Sequence, residues 1–411
     1  MKVYLQTFGC RANHYDSEVV RALLEAGGAD LVSDPGDADA AVFNSCAVTA
    51  AAEADLRHAV RRVARLRPRI ATVVMGCASA RDPAAIGALP NVTRVIPGAG
   101  GAEVAAALGV AAPRGAPPAR QTGTRALLRI QDGCDEHCTF CATTLARGAN
   151  RSRPVPDLVA EAERLAEHHA EIVLTGVHIG SYGRDAGSSL GALVEVLVRA
   201  VPNARFRLSS VEATEVDARL GDRLRARDGG LVPYLHAPLQ SGADRVLKRM
   251  GRHWYTSATY ARAIERIVGD ASVFGLGADV IAGFPGESED DHRETMRLVA
   301  SLPFTRLHVF PYSPRPGAAA QRLGGAVRTS DVARRADELR AASAQLAQAY
   351  RRRRDGGEAD VVVLGDRAHR SGLTEDYLSV IPADDALPRG TRLPMQLVLD
   401  NGVLFARARE R

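Results

Sequence analysis

The chain has 411 residues, 46% hydrophobic and 25% charged, with a formal net charge of +5. That length excludes a single small domain and predicts two or three, each able to bury a proper core. No apolar run approaches the ~20 residues of a membrane span, and so mild a positive charge permits a nucleic-acid partner without requiring one.

The first elements are apolar, β-rich runs at residues 3–9, 41–45 and 72–76, with helix-like segments at 17–25 and 50–65 between them. This β-α-β-α-β pattern predicts parallel strands joined by right-handed crossovers. Each run ends at an isolated cysteine: Cys10, Cys46 and Cys77. In a parallel sheet the carboxyl ends of the strands share one edge, where ligands bind, so these three thiols converge. Disulfides are the bland alternative. The chain enters its first strand directly from Met1-Lys2-Val3-Tyr4 with no apolar leader, so the expectation is a cytoplasmic location, reduced thiols and a metal or catalytic role. A buried unreactive cysteine stays open for any one of the three.

Residues 98–124 are rich in Ala, Gly and Pro, and Ala111-Ala112-Pro113-Arg114-Gly115-Ala116-Pro117-Pro118 reads as a linker. After it come Cys134, Cys138 and Cys141, spaced C-x3-C-x2-C. Three thiolates on a four-iron cluster leave one iron open to a substrate or cofactor. A zinc knuckle using His137 or a distant fourth ligand is the alternative, although zinc favours paired C-x2-C units.

Strand-like runs then recur at 126–131, 171–179, 205–211, 231–240, 274–283 and 306–312, with helical segments such as 157–170, 190–200 and 257–269 between them. Six βα units make a partial barrel with its chemistry at the strand carboxyl ends. His168-His169 reads as a solvent-facing helix end, and Asp290-Asp291 as a helix start rather than a magnesium site. A helix is expected over 330–354, ending in four arginines from Arg351 to Arg354. That run suits either phosphate binding or a solvated helix end. Short β-like runs at 360–364, 371–380 and 395–399 complete a compact β-barrel, irregular between Ala383 and Gly390.

The C-x3-C-x2-C spacing, with Phe140 before its last cysteine, resembles the signature of radical S-adenosylmethionine (SAM) enzymes. The whole order of motifs resembles the tRNA methylthiotransferase family. The resemblance is carried by Thr7-Phe8-Gly9-Cys10-Arg11-Ala12-Asn13-His14-Tyr15-Asp16-Ser17-Glu18, Met75-Gly76-Cys77-Ala78, Arg147-Gly148, Arg151-Ser152-Arg153, Pro238-Leu239-Gln240-Ser241-Gly242 and Ser371-Gly372-Leu373-Thr374-Glu375-Asp376-Tyr377. The stretch Leu174-Thr175-Gly176-Val177-His178-Ile179-Gly180-Ser181-Tyr182-Gly183 looks like the branch acting on N6-threonylcarbamoyladenosine beside the tRNA anticodon. Ala142-Thr143-Thr144-Leu145 departs from the bulky aliphatics and proline usual in relatives.

The resemblance implies an α/β fold in three parts: an N-terminal parallel α/β domain (1–110), a partial (β/α)6 radical SAM barrel (120–350) and a C-terminal β-barrel of the RNA-binding TRAM type (351–411). It implies two [4Fe-4S] clusters with three cysteine ligands each: an auxiliary one on Cys10, Cys46 and Cys77, and a catalytic one on Cys134, Cys138 and Cys141. SAM would then serve as both radical source and methyl donor, with Phe140, Thr175, Gly176, Ser210, Glu212, Gln240 and Gly283 as candidate contacts. Arg147, Arg151 and Arg153 are candidates for RNA phosphate or the threonylcarbamoyl carboxylate. The implied partners are a tRNA anticodon stem-loop, an electron donor such as flavodoxin or ferredoxin, and the iron–sulfur assembly machinery, with no membrane. The rival functions are methylthiolation of a ribosomal-protein aspartate and a zinc-stabilised RNA-binding protein without enzymatic activity.

Overall fold

The computed structural model describes residues 1–47, 50–111, 119–315, 317–365, 368–384 and 386–408; the middle of the expected linker, 112–118, lies outside them. Five parallel strands, β1 (Lys2–Thr7), β2 (Asp30–Val32), β3 (Ala40–Ser45), β4 (Ala71–Gly76) and β5 (Val92–Pro97), form the first sheet in the order β2-β1-β3-β4-β5. Every residue of β3 is buried, because helices cover both faces. Leu56, Val60 and Val63 of helix Ala50–Leu66 pack with Phe43 and Val74 on one side. Val20 and Leu24 of helix Arg11–Ala26 pack with Val42, Val73 and Val104 on the other. The edge strands β2 and β5 have no counterpart among the sequence expectations. β2 is only three residues long and β5 is half exposed, so neither carries the apolar run that marks a covered strand.

The six expected βα units are present. After β6 (Ala126–Arg129) comes a two-residue hairpin pair, β7 (Gln131–Asp132) and β8 (Arg151–Ser152), that brackets the cysteine loop. β9 (Glu171–Thr175), β10 (Arg205–Leu208), β11 (Tyr234–His236), β12 (Gly275–Ala282) and β13 (Arg306–Pro311) follow. The parallel sheets β10-β9-β6 and β11-β12-β13 are joined by bridges Phe206–Leu231 and Ser210–His236. All six strands therefore point their carboxyl ends the same way. Asp290-Asp291 does start a helix: Ser288 and Asp291 form a reciprocal capping box on Glu289–Ser301. His169 corrects an expectation. It is only 5% exposed, with Nε2 accepting from the Gln121 amide at 3.1 Å and Nδ1 lying 3.2 Å from the Thr124 carbonyl oxygen. The segment entering the barrel folds over it, a long-range contact that local helix pattern does not reveal.

Helix Thr329–Arg354 runs along β13 and leads into β14 (Glu358–Val363), β15 (Gly372–Thr374), β16 (Ser379–Pro382), β17 (Arg392–Asp400) and β18 (Val403–Arg407), a closed barrel in the order β14-β15-β16-β18-β17. Of the four terminal arginines, Arg354 turns inward to Asp376 (2.8 Å) and Glu375 (3.4 Å). The small barrel is fastened by two fully buried arginines of β10. Arg205 and Arg207 clasp Glu171 at 2.7 and 2.8 Å and donate onward to the main-chain oxygens of Leu373, Thr374 and Glu375 at 3.0–3.1 Å. No helix among the described residues is long and apolar enough to cross a membrane.

Candidate active site

Cys10 follows β1 at the N-cap of helix Arg11–Ala26, Cys46 follows β3, and Cys77 opens the short helix Cys77–Arg81 after β4. Since β1, β3 and β4 are neighbours in register, the three thiols meet at one sheet edge. Gly9, at φ +101°, makes the approach possible: a Cβ there would lie 2.6 Å from both Cβ and Sγ of Cys46. Asn13 is the hub. Its amide nitrogen donates to the Phe8 and Ser45 carbonyls (2.9 and 2.8 Å), which turns Oδ1 toward Cys10 Sγ (3.8 Å) and Cys77 Sγ (3.7 Å). Burial pushes the Cys77 thiol up to about 11 against the opposing pull of Arg147.

The second trio sits on the loop between β7 and β8. Its ends are tied by Cys134 N to Gly148 O at 3.0 Å, and Cys141 N donates to Cys138 O at 3.1 Å. Each sulfur has a polar partner. Cys134 Sγ accepts from Glu136 N (3.4 Å) and lies 3.6 Å from His178 Nδ1; Cys138 Sγ accepts from Arg252 (3.5 Å); Cys141 Sγ accepts from Thr143 N (3.4 Å). Such hydrogen bonds to sulfur set the potential of an iron–sulfur cluster. Thr143 also holds its hydroxyl 3.1 Å from Cys141 Sγ. Burial pushes the Cys138 thiol up to about 12, opposed by Arg252. Among the described residues, the three-ligand group drawn within 4.8 Å is His236, Asp279 and His308.

Beside the N-terminal trio opens a cavity of about 940 Å³ that reaches Ala142 and Thr143, next to Cys141. Cys10, Cys46 and Cys77 line one part, Thr175, Gly176 and Ser210 another, and His236, Asp279 and His308 a third. Tyr377 reaches in from the small barrel and stacks on Tyr234 at 4.4 Å. Thr175, Gly176 and Ser210 are therefore brought together as strand-end residues. Glu212 lies beside them, paired with Arg252, and its Oε2 is buried with no hydrogen-bond partner. Burial raises this carboxyl above the usual range despite Arg252. This orphaned acceptor, on the carboxylate that Arg252 holds, is one that a ribose hydroxyl would satisfy, so the residues fit a bound nucleoside. Phe140 packs edge-on to Phe284 at 6.4 Å. Gln240, at φ +64°, is buried and donates to Asp279 O at 2.8 Å. Gly283 lines a separate cavity of about 460 Å³, where its close neighbour is Val332 of the long helix.

The three candidate arginines have partners inside the protein. Arg147 bonds Asp16 and Asn13 at 2.7 Å, Asp132 at 3.3 Å and Cys77 Sγ at 3.4 Å. Arg153 pairs with Glu161 at 2.8 Å and bonds Tyr15 at 3.1 Å. Arg151 is exposed, 3.7 Å from Asp132. Sequence reasoning missed Arg252, which joins Glu212 to Cys138 and stacks over Trp254 at 4.7 Å. It also missed the trio His236, Asp279 and His308, whose members stand on three different strands with no shared local signal.

A three-cysteine loop at the mouth of a six-stranded parallel barrel, packed through Arg147 beside a second cysteine trio, defines a radical SAM enzyme with an added sulfur-rich module. Residues 128–299 match the family model of the Radical SAM superfamily, and residues 2–98 match that of Uncharacterized protein family UPF0004. The chain is 34% identical over 375 residues to the threonylcarbamoyladenosine tRNA methylthiotransferase MtaB of Thermotoga maritima, covering 88% of this chain and 86% of that one. It is 32% identical to the Bacillus subtilis protein of the same name over 92% of this chain and 90% of that one. The chain belongs to the threonylcarbamoyladenosine tRNA methylthiotransferase family. Among solved structures, the radical SAM methyltransferase TsrM of Kitasatospora setae, with cobalamin and a [4Fe-4S] cluster bound, shares the fold at TM-score 0.60 and 14% identity, over 78% of this chain and 76% of that one.

Proposed function

We propose that this chain replaces the C2 hydrogen of N6-threonylcarbamoyladenosine-37 in tRNA with a methylthio group. The observation that carries the reading is one cavity lined by Cys10, Cys46 and Cys77 and flanked, through Arg147 and Thr143, by the loop of Cys134, Cys138 and Cys141. A C2–H bond of adenine is neither acidic nor electrophilic, so side-chain acid–base chemistry has no route to it. On this reading each trio holds a [4Fe-4S] cluster with one open iron, and the bound clusters and SAM supply the radical, the sulfur and the methyl group.

The chain's own residues do the positioning. Asn13 and Arg147 hold the N-terminal thiols against the barrel. Arg252 holds Cys138 and Glu212 together, and Glu212, Ser210, Thr175 and Gly176 are the proposed SAM contacts, with Phe140 beside them. Tyr234 and Tyr377, stacked on each other, form an aromatic edge of the cavity where the base would enter. Residues 1–110, 120–350 and 351–411 then serve as auxiliary-cluster, radical and RNA-binding domains. An electron donor such as flavodoxin or ferredoxin, iron–sulfur assembly machinery and a cytoplasmic location complete the proposal. Nucleoside mass spectrometry of a deletion strain tests it: the 2-methylthio derivative disappears and its precursor accumulates. An unchanged nucleoside profile with a methylthio group missing from a ribosomal protein overturns it.

A further inference from the structure

The cavity is positively charged where it meets the small barrel. Two arginines line it, Arg11 and Arg147. Arg147 is neutralised by Asp16 and Asp132. Arg11 is different: among the described residues it pairs with no carboxylate, and its Nη2 donates to the Tyr377 hydroxyl at 3.1 Å. The carboxylate that lines the cavity, Asp279, is committed to His236 at 3.0 Å and His308 at 3.4 Å. Tyr377 holds φ +69°, left-handed backbone that a tyrosine adopts only under constraint from its surroundings. Its ring is fixed by Tyr234 and by the guanidinium groups of Arg207 and Arg306 at 5.0 and 5.8 Å. The strained turn thus delivers the Tyr377 hydroxyl to Arg11 at the cavity wall, next to Cys10, with Arg125 also lying against the tyrosine ring.

From this we infer that Arg11, steadied by Tyr377, is the specificity residue that takes the carboxylate of the threonylcarbamoyl group. The inference rests on the proposed function and deepens it. A guanidinium presents a planar fork to a carboxylate. Helix Arg11–Ala26 begins at Arg11, so the backbone amides of its first turn add positive potential at the same point. Arg11 lines the same cavity as Cys10, Cys46 and Cys77, so a nucleobase presented to those thiols would bring its N6 substituent toward this cation.

The test uses full-length, cluster-loaded protein and two anticodon stem-loop RNAs, one with the threonylcarbamoyl group as free acid and one with it as primary amide. Wild type should favour the acid by roughly 10- to 100-fold in kcat/KM, the size of a charge-assisted hydrogen bond. In Arg11→Gln that ratio should fall toward one, and Arg11→Lys should restore part of it. Tyr377→Phe, which leaves the cysteine loop untouched, should reduce the ratio a few-fold at unchanged iron content. A wild type that treats both RNAs alike overturns the inference, as does an Arg11→Gln protein that slows both equally, the mark of a phosphate contact. Should Arg11→Gln fail to load iron, an unaltered ratio in both Arg11→Lys and Tyr377→Phe is the overturning result. A wild type inactive on both RNAs defeats the underlying function instead.

Discussion

Arg147 Nε lies 3.4 Å from Cys77 Sγ while its Nη2 lies 2.7 Å from Asp16, so a barrel residue grips the N-terminal sheet edge at its third cysteine. Both Arg147 and Asp16 are almost wholly buried. Replacing Arg147 by Met strands a buried carboxylate, which normally costs 3–5 kcal/mol; Arg129 remains beside Asp16, so the loss should be about 3 kcal/mol. Chemical unfolding of the metal-free protein measures it. Being buried, the effect should change little between low and high salt.

The two cysteine trios should separate in function. Cys138→Ala should abolish formation of 5′-deoxyadenosine and reduce the iron content from about eight atoms to about four. Cys46→Ala should also lose about four, yet keep some SAM cleavage while methylthiolation ends. Full methylthiolation by the Cys46 variant refutes the division of labour.

Gly133 stands at φ +75° just before Cys134, and a Cβ there would collide with the carbonyl oxygen of Ala149 across the loop. Main chain is on both sides, so neither partner can yield cheaply. Gly133→Ala should therefore disturb the bond from Cys134 N to Gly148 O and deplete the barrel cluster selectively. Iron analysis with a Cys46→Ala background, in which only the barrel cluster remains, reads this directly.

Glu171 predicts an acid dependence. Burial alone would raise its carboxyl, but Arg207 and Arg205 outweigh burial and hold it well below its ordinary value of 4.5. A depressed carboxyl stabilises the fold fully above pH 4.5 and loses that contribution as pH falls toward the folded value. The stability advantage of metal-free wild type over Glu171→Gln should thus be about 2 kcal/mol smaller at pH 3 than at pH 5. Urea midpoints at the two pH values check the sign.

Much of this was legible in the chain itself, for a physical reason. Covered parallel strands must be apolar along their length, so β3 and β4 announce themselves, and each is followed at once by its cysteine. The loop of Cys134, Cys138 and Cys141 is local, with all three cysteines within eight residues. What the pattern does not carry is contact at a distance. Asn13 faces two thiols because helix Arg11–Ala26 starts under them, and Arg252 reaches Cys138 from 114 residues away. Tyr377 meets Arg11 across 366 residues. Arg147 and Arg153, read as anion contacts on residue type, lie instead against carboxylates that sequence spacing does not place beside them.

The anchorage of the small barrel has a consequence for how these enzymes can vary. Arg205 and Arg207 hold peptide oxygens at 373–375, groups that every amino acid offers alike. That grip on the main chain is independent of the side chains the barrel carries on its outer, exposed positions, while Glu375 is held separately by Arg354. A different outer face can be carried on the same mount, with the chamber behind it undisturbed.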